Sequence, residues 1–517
     1  MRIVAFAALF GAAMIPVFLT PVLPMIDYYN HFARYFTLSH LDKLAYLKEH
    51  YASNWIILPN IGMDILGYFI SQALPPLLAA KLIVILSALV QYTGILFFNR
   101  QLTGRASLAV AVLSIPLLYS FIFTWGFMNF LLGLGLVFWG AGWWLLARDK
   151  PRIAIPVACV IAIAIFLTHG VAFALYGLLL GGLELGIFAT AARRSLADLM
   201  RSMLALAVQA IAPAILFAIS PTSGNPQGLT NADEAVRRLA SQGALNDRML
   251  ELIWYRLTTV VRVAEGPSFA FDLVAAGLVT ITLALLFMRK SVTLPRLVWP
   301  ALAIGALLVL ITPPALFGVG YVSDRMPLFL AMLAVASLRF SEMRTDRVAA
   351  ALTMGLAALV AVRLAALTVA WQPYRDDLAA FRRVAEHIPP HSLVGFVNLA
   401  NDHRIDGSSR CEMYGPLLIP LAGQATPIFA FGTQQPITIV GPLKAAISAL
   451  PPPSGSRSGL FRGQRRIAAM AQAGKFEFAL ICAPERLSAP LPASAVLTAQ
   501  EGRFALIRLS GAPAAQR

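Results

Sequence analysis

The sequence predicts a polytopic α-helical membrane protein of about eleven transmembrane helices, followed by a small C-terminal α/β domain outside the membrane. Three observations lead there. The chain is 58% apolar and only 13% charged, with a mean hydropathy of +0.73. Its apolar residues gather into blocks of about 17–24, which at about 1.5 Å per helical residue cross a hydrocarbon core about 30 Å thick. Lys and Arg recur in short loops between alternate blocks, the signature of cytoplasmic loops.

Taken in order from a cytoplasmic N-terminus, the predicted spans lie near 3–25, 82–99, 106–123, 127–147, 153–168, 171–190, 202–219, 268–288, 297–317, 326–340 and 348–371. Alternating sides puts every basic cluster in the cytoplasm: Arg100 and Arg105; Arg148, Lys150 and Arg152; Arg193, Arg194 and Arg201; Arg289, Lys290 and Arg296; Arg339, Arg344 and Arg347. One span more or fewer would invert all later loops. The first block follows a basic start, as in a secretory signal, but it is long and ends in VLPMID without a small-x-small cleavage site, so it reads as an anchor. Between 106–123 and 127–147 stand only Thr124, Trp125 and Gly126, and so tight a hairpin needs the glycine.

An odd number of crossings leaves the C-terminus outside, together with the long loops 26–81 and 220–267. Within the first loop, 61–79 is apolar but broken by Pro75-Pro76, which reads as an interfacial or re-entrant helix. The chain then divides into a transmembrane part, 1–371, and an extracytoplasmic domain, 372–517, with a helix over 376–387 and strands at Leu393–Val397, Phe476–Ile481 and Phe504–Leu509. PPPSGSRSG at 451–459 reads as a flexible loop. No internal repeat or transporter-like symmetry is visible.

The net charge of +16 is spread over cytoplasmic loops and forms no patch for nucleic acid. Three cysteines give no metal spacing. Cys411 and Cys482 fall on the oxidising side, where a disulfide can form. The absence of a Gly-rich phosphate loop, of HExxH and of a nucleophile elbow removes nucleotide hydrolysis, zinc protease and α/β-hydrolase chemistry.

The first outside loop opens with Asp27, Tyr28, Tyr29, Asn30, His31, Phe32, Ala33 and Arg34. In a helix starting near Asp27, Asp27, His31 and Arg34 share one face at i, i+4 and i+7. Either they form a chemical constellation at the mouth of the first span, or Asp27 caps the helix while His31 pairs with it and Tyr28, Tyr29 and Arg34 sit at headgroup level. Arg34, Arg325 and Arg375 are expected near the outer boundary, where their planar forks suit a phosphate, or as anchors, with Arg325 pairing Asp324. His169, in Leu167-Thr-His-Gly170, is either a site residue or a polar turn histidine. Glu184 and Arg363 lie inside spans at different depths and are not expected to pair; Arg363 is the one near a donor phosphate. Asn401–Asp406 clusters polar groups after a strand and could recognise an acceptor.

An acidic residue just after the first span, opening a long outside loop with interfacial helices, resembles the GT-C superfamily of membrane glycosyltransferases. So does the whole plan of about a dozen spans and an outward C-terminal domain. The resemblance implies a polyprenyl-phosphate sugar as donor, an extracytoplasmic lipid, glycan or protein as acceptor, and Asp27 as catalytic base or acceptor-orienting group. His31, Arg34, Asp64, His169, Asp324, Arg325, Arg363 and Arg375 become the candidate substrate contacts. Many members carry two neighbouring acids here, whereas Tyr28 follows Asp27, so Asp42 or Asp64 would supply a second carboxylate. No metal ligand set is readable, and the resemblance leaves a divalent cation open. An Ala/Arg-rich chain with short loops suits a bacterial inner membrane. Rival functions are transport of a lipid-linked substrate, which needs charges at several depths, and a non-catalytic assembly subunit.

Overall fold

A computed structural model describes residues 2–193, 195–223, 245–314, 320–341, 346–400, 411, 413–428, 435–450 and 465–509, leaving the predictions at 401–406 and 451–459 outside the described residues. Eight described helical stretches are long and apolar enough to cross a membrane: Pro76–Thr103, Leu108–Trp125, Met128–Ala147, Pro151–Thr168, Gly170–Thr190, Leu196–Ile219, Phe269–Met288 and Arg347–Ala385. The remaining three predicted spans hold shorter helices, Arg2–Ala13 with Ile15–Leu19, Trp299–Ile311 and Val322–Ala336. The Pro-broken segment folds as a helix, Ile61–Ala73, about 20 Å long and too short to span. Pro76 then opens the next helix at its first turn, where its missing N–H has no intrahelical partner to lose, so that helix starts six residues before the predicted 82.

The chain forms two compact units. The first comprises Met1–Pro16, Ile57–Gly62 and Val84–Leu367. Gly126 turns its tight hairpin in the left-handed region at φ 86°, its N–H reaching the carbonyls of Ile122 and Phe123. Buried polar groups staple the helices: Asn99 donates to the carbonyls of Ala336 and Leu338, both at 2.9 Å. The intramembrane charges are also neutralised locally. Glu184 accepts from Trp144 at 2.7 Å and from Arg148 at 2.9 Å, and Arg363 donates to Asp272 at 2.9 Å. Glu184 and Arg363 thus have separate partners, as their depths suggested, but sequence reasoning found neither partner.

The second unit gathers Val17–Ile56, Met63–Ile83 and Thr368–Arg517, so segments that follow the first apolar helix join the C-terminal fold. Its four-stranded sheet runs, in spatial order, Val394–Asn398, Phe478–Cys482, Phe504–Leu509 and Ala495–Glu501; the first pair is parallel and the others antiparallel. The strand predictions fall within one or two residues of these elements. The first two strands are buried throughout, as continuous apolar runs require. Helix Pro373–Ala385 packs on the last two strands, with Phe381, Tyr414 and Phe504 forming a ring cluster at centroid separations of 4.9–5.8 Å. Cys411 and Cys482 form a disulfide, Cα atoms 5.8 Å apart, tying the segment before helix Tyr414–Ala422 to the end of the second strand.

Candidate active site

The site is built on helix Tyr28–His40, which packs against helix Tyr414–Ala422 within the second unit. Three side-chain anchors position it there. The Tyr28 hydroxyl donates to the Ala80 carbonyl at 2.6 Å, the Leu23 N–H donates to the Tyr29 hydroxyl at 2.7 Å, and the Tyr35 ring lies against Gly67, where a Cβ would come within 2.3 Å of it. Tyr28, Tyr29 and Arg34 are all buried within the protein rather than exposed as surface anchors. Asp27 occupies the N-cap position, yet its side chain accepts no capping hydrogen bond, so the capping reading fails. The carboxylate turns instead along the helix face.

There the helical spacing assembles a chain of four side chains. Asp27 Oδ2 lies 3.0 Å from His31 Nε2, His31 Nδ1 lies 2.8 Å from Arg34 Nη2, and Arg34 Nε donates to Asp64 Oδ1 at 2.5 Å. A guanidinium can only donate, so His31 Nδ1 must accept, and the ring proton sits on Nε2 and is donated to Asp27. Arg34 and Asp64 are about 1% exposed, whereas Asp27 keeps a quarter of its side chain open. Burial works against the Arg34 charge, but Asp64 beside it leaves the guanidinium pKa raised. Burial, and next the Asp64 carboxylate, push the Tyr35 phenol well above its ordinary value, so it stays neutral beside His31. Of the two carboxylates considered as a second acid, Asp64 joins the chain; Asp42 pairs with Lys48 at 3.1 Å in solvent.

Among the described residues no three His, Cys, Asp or Glu side chains converge as metal ligands. Both His31 nitrogens are engaged and Asp64 faces Arg34, so this donor set does not fit a divalent cation.

The first unit holds the other candidates. His169 caps helix Gly170–Thr190, its Nδ1 accepting from the Val171 N–H at 3.1 Å, and burial followed by nearby Arg325 lowers its pKa well below the ordinary value. It therefore fills the turn-histidine role as a neutral ring. Asp324 accepts from Tyr255 at 2.7 Å and from Ser323 at 3.1 Å, so the expected Asp324–Arg325 pairing is replaced. Arg325 donates to the Gly320 carbonyl at 3.0 Å and lies over the Phe127 and Phe130 rings at 4.8 and 5.4 Å, with a buried Nε that has no hydrogen-bond partner. Arg363 is held by Asp272. Arg375, in the second unit, lines a cleft with Lys81 and Arg382 and does not join the Asp27 chain. Sequence reasoning missed Tyr255, Asp272 and the Phe127/Phe130 pair, whose roles depend on contacts far apart in the chain.

No protein-family profile matches the chain, and no curated protein does. Solved structures do: ArnT from Cupriavidus metallidurans in the apo state is 14% identical, with a TM-score of 0.51 over 99% of this chain and 100% of that one. The chain has the fold of ArnT. The same ArnT bound to undecaprenyl phosphate gives a TM-score of 0.49 at 14% identity, covering 99% of each chain. An Archaeoglobus fulgidus oligosaccharyltransferase tethered to an acceptor peptide gives 0.42 at 12% identity, covering 92% of this chain and 69% of that one. In this chain the acidic residue after the first apolar segment is Asp27, which with His31 forms the partly open end of the polar chain.

Proposed function

We propose that this protein is a membrane glycosyltransferase that moves a sugar from a polyprenyl-phosphate donor to an extracytoplasmic acceptor, in the inner membrane of a bacterium. The observation that carries the proposal is the Asp27–His31–Arg34–Asp64 chain, in which Asp27 and His31 are partly open while Arg34 and Asp64 behind them are buried. The fold shared with ArnT is consistent with it.

In this reading Asp27 Oδ1, which the chain leaves free, takes the proton of the acceptor nucleophile. The nucleophile bonds to the anomeric carbon, the bond from that carbon to the phosphate oxygen breaks, and the electron pair departs on the lipid phosphate. His31 holds Asp27 in one orientation, and Arg34 and Asp64 hold His31 in one tautomer; they are positioning residues. The growing phosphate charge calls for a cation with donors to spare to stabilise the departing group.

The test is transfer in membranes supplied with radiolabelled polyprenyl-phosphate sugars, comparing wild type with Asp27→Asn at matched protein level. Loss of at least about 100-fold is expected for a missing base. Transfer at the wild-type rate would remove Asp27 from the mechanism.

A further inference from the structure

Away from the Asp27 chain, the second unit contains a cleft of about 400 Å³ with three cations in its lining, Lys81, Arg375 and Arg382, and otherwise only apolar residues such as Phe18, Leu19 and Leu378. Arg375 and Arg382 stand seven residues apart on helix Pro373–Ala385, two turns along one face, with Leu378 between them. Among the described residues neither makes an ion pair, and no carboxylate lines the cleft. Lys81 is fixed at the rim by donating to the Phe18 carbonyl at 3.0 Å. Phe18 and Leu19 beside it are 61% and 47% exposed.

We propose that this cleft binds the headgroup of an anionic diacyl phospholipid. Unpaired guanidinium groups recognise phosphate through parallel hydrogen bonds, and three cations without a counter-charge complement an anionic headgroup. The exposed Phe18 and Leu19 give an acyl chain an apolar surface next to that headgroup. No carboxylate, imidazole or nucleophile lines the cleft, so a phosphate held here is bound without being turned over; this separates it from a donor site. Lys81 follows Ala80, whose carbonyl receives the Tyr28 hydroxyl, so the bound lipid braces the segment on which the site helix rests. The proposal stands independently of glycosyl transfer.

The experiment is native mass spectrometry of the full-length, delipidated protein in detergent, titrated with phosphatidylglycerol, with phosphatidylcholine of the same chains, and with a polyprenyl monophosphate. Phosphatidylglycerol should bind at least about fivefold more tightly than phosphatidylcholine, and Arg375→Gln/Arg382→Gln should weaken it about 25-fold, about fivefold for each cation removed. Both arginines are exposed, so the lipid-free melting temperature should not move; if it does, Arg382→Gln alone decides, with an expected loss of about fivefold. Equal binding of the two phospholipids, or unchanged affinity in the variants, would overturn the proposal. So would displacement of phosphatidylglycerol by equimolar polyprenyl monophosphate through the same arginines, which would make the cleft a donor site. Asp27→Asn should leave phosphatidylglycerol affinity unchanged, which keeps this test separate from that of the transferase.

Discussion

Arg34 fixes the tautomer of His31: its Nη2 donates to Nδ1 at 2.8 Å, which leaves the ring proton on Nε2, facing Asp27. The orientation of a partly open carboxylate is therefore set by a buried guanidinium two turns along the helix, itself set by Asp64.

His31 should then act through Asp27. His31→Leu removes a hydrogen bond to a charged group and should lower transfer about 10- to 100-fold. His31→Gln, whose amide can donate to Asp27 and accept from Arg34, should retain most of the activity. Equal losses in the two variants, measured at matched protein level, would argue against the positioning role.

The Arg34–Asp64 pair predicts a stability effect. Arg34→Met strands a buried carboxylate and should cost about 3–5 kcal/mol, whereas Arg34→Met/Asp64→Leu should recover most of it, because two apolar side chains leave no unpaired charge. Melting temperatures in detergent measure both, and a double variant no better than the single would contradict the pairing.

Gly67 is the third support. Its Cβ would fall within 2.3 Å of the Tyr35 ring, so Gly67→Ala should destabilise by about 1–3 kcal/mol. In a Tyr35→Ala background the same substitution should cost far less, a coupling that a double-mutant cycle reads directly. Additive losses would place the effect elsewhere.

The face shared by Asp27, His31 and Arg34 was legible in the sequence because helical spacing fixes it locally. Asp64 is a candidate contact in the sequence, but its pairing with Arg34 is not readable there, since that approach depends on how the Ile61–Ala73 helix docks. Apolar block length and loop charge likewise exposed the helical plan, while Asp272 opposite Arg363 and Tyr255 opposite Asp324 required the tertiary fold. Pro76 was read as a break within one segment; physically it is the first residue of the next helix.

Glu265 predicts a pH dependence. It lies before helix Phe269–Met288, and burial pushes its pKa from 4.5 to about 7 despite Arg262 at 2.7 Å. Between those values the folded chain keeps a proton that the unfolded chain has lost, so this group's contribution is fully present below about pH 4.5 and is lost as pH rises through 7. The change is roughly 3 kcal/mol. Glu265→Gln should flatten the fall in melting temperature across that window, and an unchanged slope would assign it to another group.

The Cys411–Cys482 disulfide closes a sequence separation of 71 residues, and its loss should cost about 4 kcal/mol by loop-closure entropy. Cys411→Ser should therefore lower the melting temperature of the oxidised protein and have little effect once the wild type is reduced. The bond also reports on sidedness, because disulfides persist on the oxidising face of a membrane. In cells denatured in the presence of a thiol-alkylating reagent, which exposes these two buried residues, Cys411 and Cys482 should be labelled only after reduction. Labelling without reductant, in a protein that had folded before denaturation, would place the C-terminal unit on the reducing side and reverse the proposed orientation.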